Sequence, residues 1–382
     1  LVFETSGIQI MVIDDNSRIS LSNNDGNTEN TVFGYHAFTN AGTVLGNVGA
    51  DYNTVLGHKA MGTGTTTDAT YNTAVGYLTL EDITDGDFNV GIGNGAGMSI
   101  TTGGSNTFLG SVAAQNSLLV SDTVIIGRLA AGGAAITADA DGTVAIGKSA
   151  ILALTSGQRN VAVGYNAGLE TAIGDSNIAI GYQALLGDAG LQNDNNIAIG
   201  SSNPDGTLAA MGGQWGGAST DNIAIGTGSM AGVMNGALGN IAIGSNAGTA
   251  ITSSDYNIFI GYAVAVGGQP GAGTVAIGAW ALNGQTSGTG NTGVGYRALQ
   301  NSVDGADNTA VGYDSLQALT SSTRNVSIGK GAMSLMDDTA DGLADCVAVG
   351  YEAFKGSATA TTTGAAGTVA IGKSALTALT SG

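Results

Sequence analysis

Three runs in the chain have the spacing G-x-G-x-x-G/A, which elsewhere cradles a dinucleotide phosphate: Gly91 to Ala96 (GIGNGA), Gly226 to Ala231 (GTGSMA) and Gly293 to Ala298 (GVGYRA). That chemistry needs the motif to open a helix, because the helix N-terminus supplies the N–H groups that hold the phosphate. Each run is instead an ordinary unit of a repeat carrying one extra glycine. No nucleotide and no cofactor is expected. The two histidines, His36 and His58, both follow a repeat glycine at sites where tyrosine or polar residues stand in other copies, and no nucleophile motif surrounds them. They are expected at the surface, and no catalytic residue is assigned.

Carboxylates pose a better question. Asp85-Gly-Asp87 and Asp139-Ala-Asp141 could serve calcium in turns, yet they match neither the EF-hand loop nor the calcium-binding nonapeptide repeat. Paired acids could also cleave a glycosidic bond, but nothing marks one pair out from the rest. Solvated loop acid is the plainer reading, and no metal site is expected. Trp215, beside Gln214, is the candidate surface-contact residue, because an aromatic on a loop can stack on a sugar or a protein partner; the competing reading packs it back over a widened coil.

These residues are positioned by a repeat. Twenty short motifs each end in glycine, and ten of the nineteen intervals between those glycines are 17 residues long, within a range of 11 to 26. So short a period means a solenoid, in which each coil is covered only by its neighbours. Three residues before the glycine every copy has Val, Ile or Thr, and one residue before it every copy has Val, Ile, Leu or Phe. Two residues before it, fourteen copies have Ala, Gly or Ser. Alternation of period two, with glycine closing each short run, specifies strand and excludes helix.

Four residues before the glycine, fourteen copies have Asn, among them Asn72, Asn160, Asn177 and Asn308. Stacked in register, such side chains form a hydrogen-bonded ladder, a structural role rather than a ligand site. Three residues after the glycine, fourteen copies have Ala. That second signal predicts a looser second strand in each coil. The small face of the strict strand, including Ala162, Ala179 and Ala310, is expected to lie against sister copies, with the bulky face inside. Tyrosines just after the glycine, including Tyr165, Tyr182, Tyr296 and Tyr313, are expected to stack along the array, and Trp280 to be structural.

The fold expected is therefore all-β: a parallel β-solenoid of about twenty coils over residues 30–382, preceded by a lead-in hairpin or cap at 1–29 built from GIQIMVI and RISLS around DDNS. The widest interval implies an excursion at 201–221, containing Pro204 and Trp215. GTVAIGKSAILALTSG at 142–157 returns nearly unchanged at 367–382, so a longer duplication overlies the short one. The chain opens without Met and stops in mid-repeat, and the array is expected to continue beyond 382. Ten basic against twenty-nine acidic residues, net −19, argue against a nucleic-acid partner. A single cysteine, Cys346, excludes a disulfide framework within one chain, and no apolar run is long enough for a membrane-spanning helix.

Units such as NVAVGYNAG (160–168), NIAIGYQAL (177–185) and TVAIGKSAL (368–376) resemble the YadA-like head repeats of trimeric autotransporter adhesins, and similar NTAVGY runs recur in bacteriophage tail fibres. The lead-in is more similar to the virion proteins. The resemblance implies a left-handed, homotrimeric β-roll, extracellular, with the strict strand toward the threefold axis. It further implies a non-enzymatic fibre shaft that positions a tip for a host-surface glycan or protein receptor on a virion. A bacterial surface adhesin is the alternative, and a polysaccharide-cleaving tailspike the second. The adhesin coils are shorter, and this chain shows neither their heptad stalk nor their membrane anchor.

Overall fold

The structure, a computed structural model, describes residues 2–5, 8–13, 19–20, 29–38, 49–64, 66–137, 140–187, 190–202, 209–213, 215–336, 343–356 and 364–377. The chain divides into two units, Leu1–Ala179 and Ile180–Gly382. Among the described residues there is no α-helix. Strands β1 (Val2–Thr5), β2 (Ile8–Ile13) and β3 (Ile19–Ser20) form a small antiparallel sheet in which Ile13 pairs with Ile19. This is the hairpin expected of the lead-in, its DDNS turn lying outside the described residues.

Nineteen three-residue strands follow, β4 (Thr31–Phe33) to β22 (Val369–Ile371), each ending on the residue before a repeat glycine. In the first unit, partners run parallel and in chain order from β4 to β11 (Val161–Val163). In the second unit the same open ladder runs from β13 (Ile197–Ile199) to β22. Registers are exact matches of repeat position: Val144, Ala145 and Ile146 stand beside Val161, Ala162 and Val163. The copy ending at Gly46 lies outside the described residues, and β4 pairs directly with β5 (Thr54–Leu56).

Among the described residues the second expected strand is absent, apart from isolated parallel bridges such as Ser117 with Ile136. After the glycine the chain enters a run of turns, and the conformation is held by left-handed residues rather than by a second β-ladder. Around Gly312 these are Asp307 (φ 57°), Asp314 (φ 56°) and Leu316 (φ 52°). Each such residue costs roughly 1–2 kcal/mol. All three are held from neighbouring coils: the Asp307 N–H donates to the Thr289 carbonyl, that of Asp314 to Tyr296, and that of Leu316 to Ala332, each at 3.0 Å. Even β-branched Ile151 (φ 45°) and Val112 (φ 52°) are carried this way. The repeat glycine itself is obligatory. Gly76 has φ 138°, and a Cβ there would collide with the Gly93 carbonyl of the next coil.

The strand faces are the reverse of the expectation. The middle residue of each strand, not the bulky pair, points into the coil: Ala162 and Ala310 are fully buried and Ala179 nearly so, within a single chain. They therefore do not form a face toward sister copies. The flanking Val and Ile residues point outward, half-buried or exposed. The reason is volume. The turn segment fills the interior with its own side chains, such as Leu80, Leu282 and Leu316, leaving room for little more than a methyl group opposite.

Exceptions show the same limit. Where a strand centre is Phe108, the facing turn position of the preceding coil is Gly97, and Phe259 likewise faces Gly248. Where the centre is Gly293, Leu282 occupies the space. Interior volume is conserved by exchange between strand and turn.

Phe108→Ala is expected to cost about 3–5 kcal/mol through the cavity left behind, and Gly97→Leu about 1–3 kcal/mol through overpacking. The double variant should recover much of either loss, because leucine already adopts the left-handed conformation at this repeat position in Leu80 and Leu282. Urea denaturation of all three variants checks this; additive losses would contradict the exchange of volume.

Candidate functional site

The predicted polar ladder is present and buried. Asn72, Asn160, Asn177 and Asn308 are each no more than 2% exposed. Their geometry is more demanding than amide stacking. The Asn72 Oδ1 accepts the backbone N–H of Asn89 at 2.9 Å, and its Nδ2 donates to the Gly86 carbonyl at 2.8 Å. Asn308 Oδ1 accepts the Asn325 N–H at 3.0 Å while its Nδ2 donates to Ser322 O at 2.7 Å. Side-chain to side-chain bonds run beside these, as from Asn177 Nδ2 to Asn160 Oδ1 at 3.2 Å. Each carboxamide thus closes the corner of its own coil against the next one. Where Thr274 or Cys346 replaces Asn, its backbone N–H still fills the preceding Asn Oδ1, at 2.8 Å and 3.0 Å. The Cys346 thiol is buried, and burial pushes its pKa up.

The acids weighed for calcium or hydrolysis have structural employment. Asp87 Oδ1 accepts both the backbone N–H and the hydroxyl of Thr70, at 2.7 and 2.8 Å, and Asp141 Oδ1 accepts the Ser121 N–H at 2.7 Å. Asp175 and Asp255 do the same for Gln158 and Leu238. Asp85 accepts the hydroxyl of Thr84 at 2.9 Å, and Asp139 lies outside the described residues. The three glycine motifs sit in regular coils, with Gly91 and Gly293 as strand centres. Trp215 is 2% exposed, so the reading of it as a surface contact is corrected: it packs into its coil. Gln214, Pro204 and the rest of 203–208 lie outside the described residues.

What the molecule presents outward is a set of columns. The first is apolar: of the strand residues one before each glycine in the second unit, Ile243, Ile277, Val311 and Ile328 are 36–41% exposed, and Ile260 and Val294 between them are half-buried. In-register pairing makes this column and its half-buried Val/Ile/Thr companion a continuous β-branched strip without a charge. The second column, just after the glycine, is aromatic and basic. Tyr35, His58 and Tyr77 lie 5.3 Å apart in turn, and Tyr296 stacks on Tyr313 at 5.0 Å, as expected of the tyrosine stripe. Lys148 lies 5.1 Å from the Tyr165 ring and Lys330 5.3 Å from Tyr313. Both histidines are exposed, and Trp280, 37% exposed, meets Tyr262 at 5.7 Å.

A third column, at the left-handed corner before Asn, stacks Tyr52, Tyr71 and Phe88 at 4.7 and 5.1 Å with planes within 4°. Oppositely charged residues meet across coils in such columns. Arg297 forks onto Asp314, with both bonds at 2.7 Å, and Arg324 onto Asp345. The Arg324 hydrogen bond holds the Asp345 carboxyl below its ordinary pKa, and Lys355 does so for Glu352. These surface pairs add little stability.

The apolar strip, and the basic residues set among the expected tyrosines, were missed in the sequence, though aligning the copies on their glycines exposes both. The fold and its columns define an all-β parallel solenoid whose charge and aromatic character are sorted by repeat position. No protein-family model matches the chain, and no curated protein or solved structure is significantly similar to it. Among the described residues no helix is long and apolar enough to cross a membrane.

Asn240 bonds in both directions, to Asn222 and Ser254 and from Asn257. Asn240→Leu should therefore destabilise the chain by about 2–4 kcal/mol, since it orphans a buried N–H and a buried carbonyl. Asn240→Thr, a residue the repeat already uses here, should cost less than half as much. Thermal unfolding of the two variants decides it, and equal losses would deny the carboxamide its role.

Proposed function

We propose that this chain is a segment of a non-catalytic fibre shaft: a left-handed, homotrimeric β-roll of a bacteriophage tail fibre that extends and positions a receptor-binding tip outside the cell. One observation carries the reading, the unbroken strip of outward β-branched residues, Val, Ile and two Thr, on every rung from β13 to β22 of the second unit. In the second unit, ten rungs at about 4.8 Å make a strip roughly 50 Å long, and an exposed apolar surface of that extent marks an interaction face. Its residues are β-branched and so already restricted in rotamer, which lowers the entropic cost of burying them against a partner. Closed rotational symmetry covers such a strip on every copy at once, and the resemblance to trimeric head repeats gives the number three.

The rest of the surface supports a shaft. The acid excess keeps it soluble, while several of its carboxylates are engaged in coil-to-coil hydrogen bonds. The strict strand faces the axis in this reading, as the resemblance implies, but it does so through Val and Ile rather than through Ala.

Sedimentation at micromolar concentration should give a trimer. Ile243→Lys combined with Ile277→Lys should yield a folded monomer with unchanged circular dichroism. A monomeric parent chain would overturn the assembly. Antibody raised against the chain should label fibres on phage particles in electron micrographs, and labelling confined to a bacterial surface would instead favour the adhesin.

A further inference from the structure

In the second unit, the repeat position two residues after the glycine is occupied on consecutive coils by Arg297, Asp314, Gly331 and Glu352. Gly331 is the one without a side chain. Its gap leaves a groove of about 220 Å³ on the coil surface, with Asp314 on one side and Glu352 on the other, the half-buried Leu335 and the buried Ser334 within it, and Lys330 and Lys355 at its edges. That is room for one sugar ring.

The charges in the groove are not equivalent. Asp314 is held by both guanidinium nitrogens of Arg297, and Glu352 is held by Lys355 at 2.7 Å. Both carboxylates are thereby fixed in orientation, with lone pairs left to accept from hydroxyl groups. Lys330 differs. Its ammonium lies over the Tyr313 ring, and among the described residues no carboxylate comes within ion-pair distance of it. A groove that offers oriented carboxylates, a small apolar floor and one cation outside both close ion pairs is complementary to a polyhydroxylated ring that itself carries a carboxylate.

We propose that the groove at Gly331 binds a hexuronate unit of an acidic surface polysaccharide. The sugar carboxylate meets Lys330, ring hydroxyls donate to Asp314 and Glu352, and a C–H edge rests on Leu335. The site is complete within one chain, so it goes beyond the fibre reading and does not depend on trimerisation. The sequence hides it because it consists of a missing side chain: Gly331 is one more glycine in a chain of 65.

Saturation-transfer NMR on the full chain with D-glucuronate, D-glucose and acetate tests the proposal. Glucuronate should receive saturation strongly, with D-glucose and acetate far weaker. Lys330→Gln should weaken glucuronate binding about tenfold, the loss of one charge-assisted contact. Gly331→Asn should abolish it by filling the groove. Asn is tolerated in this conformation, as Asn246 (φ 58°) shows at the same repeat position, so the unfolding midpoint should not move. The proposal fails if the parent chain does not saturate glucuronate, if either variant binds it unchanged, if D-glucose binds as well, or if acetate matches it and so reveals a bare anion site.

Discussion

A coil whose interior is about one alanine deep cannot be held together by burial alone. A methyl group removes too little apolar surface from water to offset the ordering of the residues around it. The cohesion must therefore come largely from between coils, and the backbone provides it. Nearly every turn has its N–H groups directed to the coil before or after it, and the buried carboxamides tie the one corner where the backbone pattern breaks. These bonds form in a dry interior, where leaving one unmade is costly. Thinness and hydrogen bonding are thus the same constraint seen from two sides.

That constraint also explains the cost carried by the turns. A chain with left-handed leucine residues in many coils, and with Val112 and Ile151 held the same way, has no stable isolated coil. Each strained residue is fixed by a bond to its neighbour, so a coil is favourable only once the next one is in place. Stability in such an array belongs to interfaces between repeats. The exchange of volume between Phe108 and Gly97, or Phe259 and Gly248, fits the same pattern, because each exchange joins the strand of one coil to the turn of the preceding one.

Most of the fold was legible because the repeat writes its rules many times. The strand, its closing glycine and the ladder of Asn72, Asn160, Asn177 and Asn308 follow from residue type and spacing. The direction of the strand did not. Period two says that faces alternate but not which face is inside, and the usual preference for burying the bulkier side failed here because turn leucines had already filled the interior. The second strand failed for a related reason: Ala followed by Leu has no signature separating an extended run from a turn of left-handed residues, since neither residue favours that conformation. For Trp215 the sequence left surface contact and packing over a widened coil both open, and its burial decides for packing.

The columns differ sharply in what they are free to vary. At the Asn, the strand centre and the glycine nearly every substitution is forbidden by volume, by hydrogen bonding or by the approach of the next coil. The one or two residues after the glycine meet none of these limits: their backbone is fixed by neighbouring coils while their side chains stand at the surface. In those two positions the chain places Tyr, His, Lys, Arg, Asp, Asn and Gly in no repeated order. A scaffold that holds successive side chains at the spacing of β-strands, with identities independent of the fold, separates stability from recognition. It follows that the basic residues gathered among these columns, Arg297, Lys330 and Lys373 on an otherwise acidic chain, are not explained by folding. Their placement is a matter of what the surface meets.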